Sequence, residues 1–423
     1  MAYKIIIFLI TLMTLTGCNL DQARPITKLK TTESLVVAWV DSGNLIVWRQ
    51  GEENPRRVAS GGVIRPFVSP DGQRIAYTRG PNGRAETLWI VDVAGTTEFL
   101  VVGEGNPRIF RNGASQVGDV AWFDATTLYI NTYTGRNADL KFNDDLYRVN
   151  ARTREVSLIL PAGQGGRFAI SPDHTQIATV SAGTYGRQDA RISVVDPLAI
   201  DGATNLLFYI GVATGSEGVF HPHIQWAEDS LSILVAIPDA DLIYSESETN
   251  VPPTRLWQLP IDTPSDRNLM GSVRASFFGL PLWSDTDTQI LYLRRTPQSN
   301  EFTIVVADAN GDNPSDYLTG DSGTIELPQW LPNSNRFIYT VENLGNVMIG
   351  ERGKDPELLS QEVVYTPKFI TDDVYVFVTS QAIATNGFQL RFARLNQQSV
   401  EIGNVGTNIP LFDAVIITTE VEE

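Results

Sequence analysis

Two histidines two residues apart, His221 and His223, are the sharpest chemical feature of this 423-residue chain. On a β-strand, residues i and i+2 point to the same face, so both imidazoles could converge on one divalent metal. Glu217 lies just upstream, and Asp239, Asp241, Glu246 and Glu248 follow in one loop. Two polar residues satisfied by water fit the same spacing, and the chain has no third imidazole placed to complete a histidine-rich site. No cofactor is therefore expected. The remaining histidine, His174, stands at the glycine position of Ser171-Pro172-Asp173-His174 and reads as a turn residue. Nucleophilic hydrolysis finds no Gly-x-Ser-x-Gly elbow. Asp308-x-Asn310-x-Asp312 invites calcium, but the sixth and twelfth loop positions are Asn313 and Thr319, where such a loop needs glycine and glutamate. A hairpin turn explains the same residues.

Anion recognition is the other chemistry within reach. Arg79 and Arg84, then Arg136, then Arg187 fall in three successive long connections, with Tyr133 and Tyr185 beside them. Arg108 and Arg111 lie in the segment between the first two. Such a set suits a carboxylate-bearing peptide or an acidic sugar. Local salt bridges to Glu86, Asp139 and Asp189 would instead make these arginines an ordinary solvated surface, and that is the simpler reading.

The first residues address the chain. Lys4 supplies a positive n-region, and Ile5 to Leu15 form an apolar stretch of signal-peptide length, too short to span a bilayer. Leu15-Thr16-Gly17-Cys18 resembles the bacterial lipobox. The resemblance implies removal of residues 1–17, a lipidated Cys18 at the mature N-terminus, and anchoring in a cell-envelope membrane, with Asn19 leaving an outer-membrane destination open. Cys18 is the only cysteine, so lipidation would consume a thiol that an oxidising compartment would otherwise attack. Residues 18–33 read as the lipidated cysteine and a flexible tether, 34–420 as one folded unit, and 421–423 as an acidic tail. The formal net charge of −17, or −18 after loss of Lys4, argues against a nucleic-acid partner.

The elements that must position these residues come from a repeat. Pro66-Phe67-Val68, the turn Ser69-Pro70-Asp71-Gly72, and Arg74-Ile75-Ala76-Tyr77 form its clearest copy. Proline presets the first turn dihedral and glycine supplies the positive φ of a tight hairpin. Phe168 to Ala178 is a second copy. Placing Val68, Trp122, Ile170, Trp226, Trp283, Trp330 and Phe369 in one column gives spacings of 54, 48, 56, 57, 47 and 39 residues. These suit propeller blades of four strands each. Recurring once per unit, the column tryptophans read as packing between neighbours and not as a sugar-stacking row. Leu35 to Ser60 supplies three strands without a first one, and Pro410 to Thr418 supplies one strand left over. Their pairing would close a ring of eight four-stranded blades; seven would follow if a weak copy is a misreading. The long second-to-third-strand connections share one face with the blade-to-blade crossings, which marks the expected binding face.

The Ser-Pro-Asp-Gly turns, and the hairpin from Val305-Val306-Ala307-Asp308-Ala309-Asn310-Gly311 to Leu318-Thr319-Gly320, resemble the WD-repeat-like blades of TolB-type propellers. The resemblance covers residues 34–420 and implies an all-β propeller; that family includes envelope scaffolds, propellers attached to peptidases and a few lyases. No separate N-terminal α/β domain precedes this propeller, so a role in the TolB transport system is not implied. The expected function is a lipid-tethered binding or scaffold protein for an envelope protein or glycan, and not an enzyme. The alternative is a metal-dependent lyase acting on acidic sugars. Oligomeric state is left open.

Overall fold

The computed structural model describes residues 27–30, 33–103, 114–135, 141–198, 202–215, 218–245, 251–321, 328–341, 346–380 and 387–418. They form eight antiparallel sheets arranged as the blades of a propeller. Each blade's second strand is buried on both faces, which requires an unbroken apolar run in place of alternation. Ser232–Ile237 is buried at every position, as is Ile177–Ser181. Eight apolar clusters result, one at each blade-to-blade interface.

The inner strands of blades 2 to 8 are Val63–Val68, Ala114–Trp122, Arg167–Ile170, Ile224–Trp226, Leu282–Trp283, Gln329–Trp330 and Tyr365–Phe369. All seven end at the residue expected from the repeat. The indole of Trp122 donates to the Phe67 carbonyl at 2.9 Å, Trp226 to Ala169 at 2.9 Å and Trp330 to Leu282 at 2.9 Å. Each acceptor lies in the preceding blade, one residue before that blade's own column position, so the tryptophans stitch neighbours together. Trp283 departs from this and donates to Ala309 of its own blade at 3.0 Å.

In the turn of blade 2, Ser69 Oγ donates to Asp71 at 2.6 Å and accepts from the Arg74 N–H at 3.0 Å. Gly72 has φ 61°, and a Cβ there would lie 2.4 Å from the Ile417 side chain, so this copy needs glycine for conformation and for space. His174 holds the same position in blade 4 with φ 56°, and its ring meets the Phe123 carbonyl of blade 3. It is a turn residue, as expected.

Blade 1 consists of Glu33–Asp41, Asn44–Arg49 and Arg56–Ala59, completed on its inner side by Phe412–Thr418. The register runs from Glu33 opposite Thr418 to Trp39 opposite Phe412 and closes the ring. Folded contacts begin earlier than a free tether over residues 18–33 would allow. The Thr27 N–H donates to the Gln398 carbonyl at 3.0 Å, Arg394 Nε donates to the Lys28 carbonyl at 3.1 Å, and Arg394 pairs with Glu33 at 2.7 Å. Cys18 and residues 1–17 lie outside the described residues, as do 421–423.

Candidate binding face

Along an up-and-down blade, the first-to-second and third-to-fourth strand turns share one face of the disc. The second-to-third connections and the crossings share the other. The described parts of the arginine-bearing loops lie on this second, loop-rich face. Arg79 pairs with Glu98 at 2.9 Å and lies over the rings of Trp89 (4.6 Å) and Tyr77 (5.2 Å). Arg84 pairs with Glu86 of its own loop at 3.3 Å. Tyr133 turns inward and packs against Phe142, ring centroids 4.4 Å apart in a tilted arrangement, and burial raises its pKa. Arg187 is exposed in a turn where its charge helps lower the pKa of Asp189, after the Thr184 backbone bond to that carboxylate. Arg136, Arg108 and Arg111 lie outside the described residues.

The two histidines stand at the channel mouth on the same face. His221 Nε2 lies 3.0 Å from Asp144 Oδ1, its ring packs on Phe142 at 4.7 Å, and its side chain is 8 % exposed. Ser181 Oγ donates to the other Asp144 oxygen at 2.9 Å, so blades 3, 4 and 5 meet on one carboxylate. His223 is exposed. Dehydration and the Arg167 guanidinium lower its pKa. Arg167 also faces Asp119 at 3.5 Å. Among the described residues, no three of His, Cys, Asp and Glu come together as metal ligands; Glu217, Glu246 and Glu248 are not among those residues. At the calcium-like segment, Asp308 instead accepts from Asn313 at 2.7 Å and from Arg352 at 2.6 Å. These two partners lower its pKa, and Arg352 ties blade 6 to blade 7.

What the loop-rich face does present is aromatic surface over blades 4 to 6. Tyr185 is 47 % exposed, Tyr244 54 % and Phe278 62 %. Tyr185 reaches from its blade 4 loop to Asp241 of blade 5, and the Tyr244 hydroxyl donates to the Gly215 carbonyl. Tyr244 sits in a single helical turn, Leu242–Ser245. Phe278 belongs to a tight turn capped by Ser276, whose hydroxyl accepts from the Phe278 N–H at 3.2 Å. Its ring lies 5.6 Å from Phe277, which in turn lies 5.2 Å from Phe220. A Cβ on Gly279 would lie 2.4 Å from Leu293, so glycine lets this turn lie flat on blade 6. Tyr185 is among the residues singled out from the sequence; Tyr244 and Phe278 are not. The long 238–254 connection is the one sequence signal for Tyr244, and its acids are its more conspicuous feature.

No protein-family model and no curated protein matches the chain. Solved structures do resemble it. The Dos1 propeller superposes with a TM-score of 0.52 at 11% identity, over 84% of this chain and 92% of that one. A eukaryotic initiation factor gives 0.50 at 11% identity, over 90% and 97%. TolB from Acinetobacter baumannii is also among the neighbours, at 0.31 and 16% identity over 70% and 66%. The likeness to the first two concerns the fold alone, and the eight sheets make the chain an eight-bladed, all-β propeller.

Proposed function

We propose that the chain is a lipid-tethered envelope binding protein that engages a protein partner through the aromatic surface over blades 4 to 6. One observation carries the reading: three large rings, from two loops and a crossing, are half exposed on the face where the fold puts its irregular connections. Tyrosine and other aromatic side chains anchor protein interfaces because they bury large area at small entropic cost. Polarity of the disc supports it too. Thr27 and Lys28 dock on the turn between the last two strands of blade 8, on the opposite face. A lipid on Cys18 would then hold that turn face within roughly 30 Å of the bilayer, the full reach of the intervening residues. The aromatic face would point away from it.

A second reading, an enzyme acting on acidic sugars at the channel mouth, has the His221–Asp144 pair and Arg167 in its favour. The two are separated in cells by a photo-reactive p-benzoylphenylalanine placed at Phe278, with Ala94 on the turn face as control. Binding through the aromatic surface gives a discrete heavier adduct at Phe278 and none at Ala94. The double change Tyr244→Ala and Phe278→Ala then weakens the complex by about 2 kcal/mol or more. Equal adducts at both positions, or none, would sink the reading.

A further inference from the structure

Where the outer flank of blade 4 meets blade 5, a cleft of about 360 Å³ opens beside the aromatic surface. One wall is the end of the outer strand Thr204–Tyr209 with Ile210; the other is Ile237, Pro238 and Trp257. Arg255 is the second residue of the strand Thr254–Pro260, and Arg267 immediately precedes the antiparallel strand Asn268–Val273. The two arginines therefore enter the cleft from opposite ends of one hairpin, with Trp257 between them.

Both arginines are exposed, and among the described residues neither guanidinium has an ion-pair or hydrogen-bond partner. Arg352 and Arg394, by contrast, are each held by carboxylates. In a chain of net charge −17, two cations without an ion-pair partner among the described residues flank a cleft lined mainly by apolar side chains, with Asp239 its one carboxylate. The strand Thr204–Tyr209 is also the outer edge of its sheet, so its outward backbone groups have no neighbouring strand there. Phe208 and Ile210 at its end are about half exposed, 47 % and 48 %. An open edge beside an apolar slot is the arrangement that takes an extended polypeptide, through main-chain bonds and one inserted side chain.

We propose that this cleft binds an acidic segment of a partner protein, an apolar side chain lying against Trp257 with carboxylates on either side held by Arg255 and Arg267. The proposal rests on the reading that the chain binds a protein, and it names the chemistry of that partner. Guanidinium groups suit carboxylates because their paired N–H donors match both oxygens.

The test selects a displayed library of random short peptides on the mature protein. Peptides that win should carry an aromatic or large aliphatic residue flanked by Asp or Glu. Their affinity should fall at least about tenfold on Arg255→Gln with Arg267→Gln, the loss expected for charge-assisted bonds, while the unfolding midpoint stays unchanged. Winners without acidic residues, no winners, or affinity untouched by the double variant overturns the proposal. The Phe278 cross-link keeps the two ideas apart: an adduct that forms while the peptides show no acidic preference rejects the cleft and leaves the aromatic surface standing.

Discussion

Two consecutive carboxylates at the channel mouth do opposite work. Asp145 is fully buried and accepts from the Thr132 N–H at 2.8 Å, the Thr132 hydroxyl at 2.6 Å and Asn143 at 2.7 Å. Burial nevertheless outweighs those bonds and raises its pKa. Asp144 faces outward to Ser181 and His221. Beside them, His223 is held with a lowered pKa, first by dehydration and then by Arg167. The consequence for stability has a definite sign. Below about pH 6.5 the unfolded chain protonates this imidazole while the folded chain resists, so the unfolded state binds more protons. Stability contributed by neutral His223 is therefore present above that pH and is lost as pH falls toward the folded value. Denaturant unfolding at neutral and mildly acidic pH should show the wild type losing more stability than His223→Gln. Equal losses would show that His223 titrates as it would in water.

At the scale of the element, the blade was legible and its loops were not, for one physical reason. A blade strand meets its neighbours in a fixed register, so Trp122, Trp226 and Trp330 had to recur once per unit, and their indoles find acceptors at the same relative place. Removing one such bond while keeping the ring bulk, as in Trp226→Phe, should cost about 1 kcal/mol. Trp226→Ala should cost about 3–5 kcal/mol, because it opens a hole between blades 4 and 5. Comparable losses in the two variants would mean that the hydrogen bond, not the packing, carries the residue. Loop residues obey no such register. Arg79 finds Glu98 nineteen residues on, and Tyr185 finds Asp241 fifty-six residues on. A single sequence carries no period that would announce either pair. Tyr244 and Phe278 were hidden for the complementary reason: a ring in an unrepeated segment looks the same whether it is buried or displayed. The arginines in the loops were visible, but charge alone could not say that Arg79 would be spent on Glu98 and that Arg255 and Arg267 would be left free of partners among the described residues.

For the whole molecule, the decisive contact joins residues nearly four hundred positions apart. Phe412–Thr418 forms the inner strand of a blade whose other three strands come from the opposite end of the fold, through seven register pairs. It also reaches the next blade, since Asp413 accepts from the Val68 N–H at 2.6 Å and pairs with Lys368 of blade 8. One strand therefore ties blades 8, 1 and 2 together at the channel. Deleting residues 409–423 should strip the inner edge of Glu33–Asp41, uncover Val36 and Val37, and leave Lys368 without its carboxylate. A blade interface lost on this scale should cost on the order of 5 kcal/mol or more. The loss should spread as well. Hydrogen exchange should quicken in blades 8, 1 and 2 ahead of blades 4 to 6, because each interface depends on its immediate neighbours. The same deletion should leave peptide binding at Arg255 and Arg267 measurable below the new unfolding midpoint, since that cleft lies across the ring. An unchanged midpoint would show that the three remaining strands of blade 1 hold the ring alone, and that the terminal strand closes it in geometry without contributing to its stability.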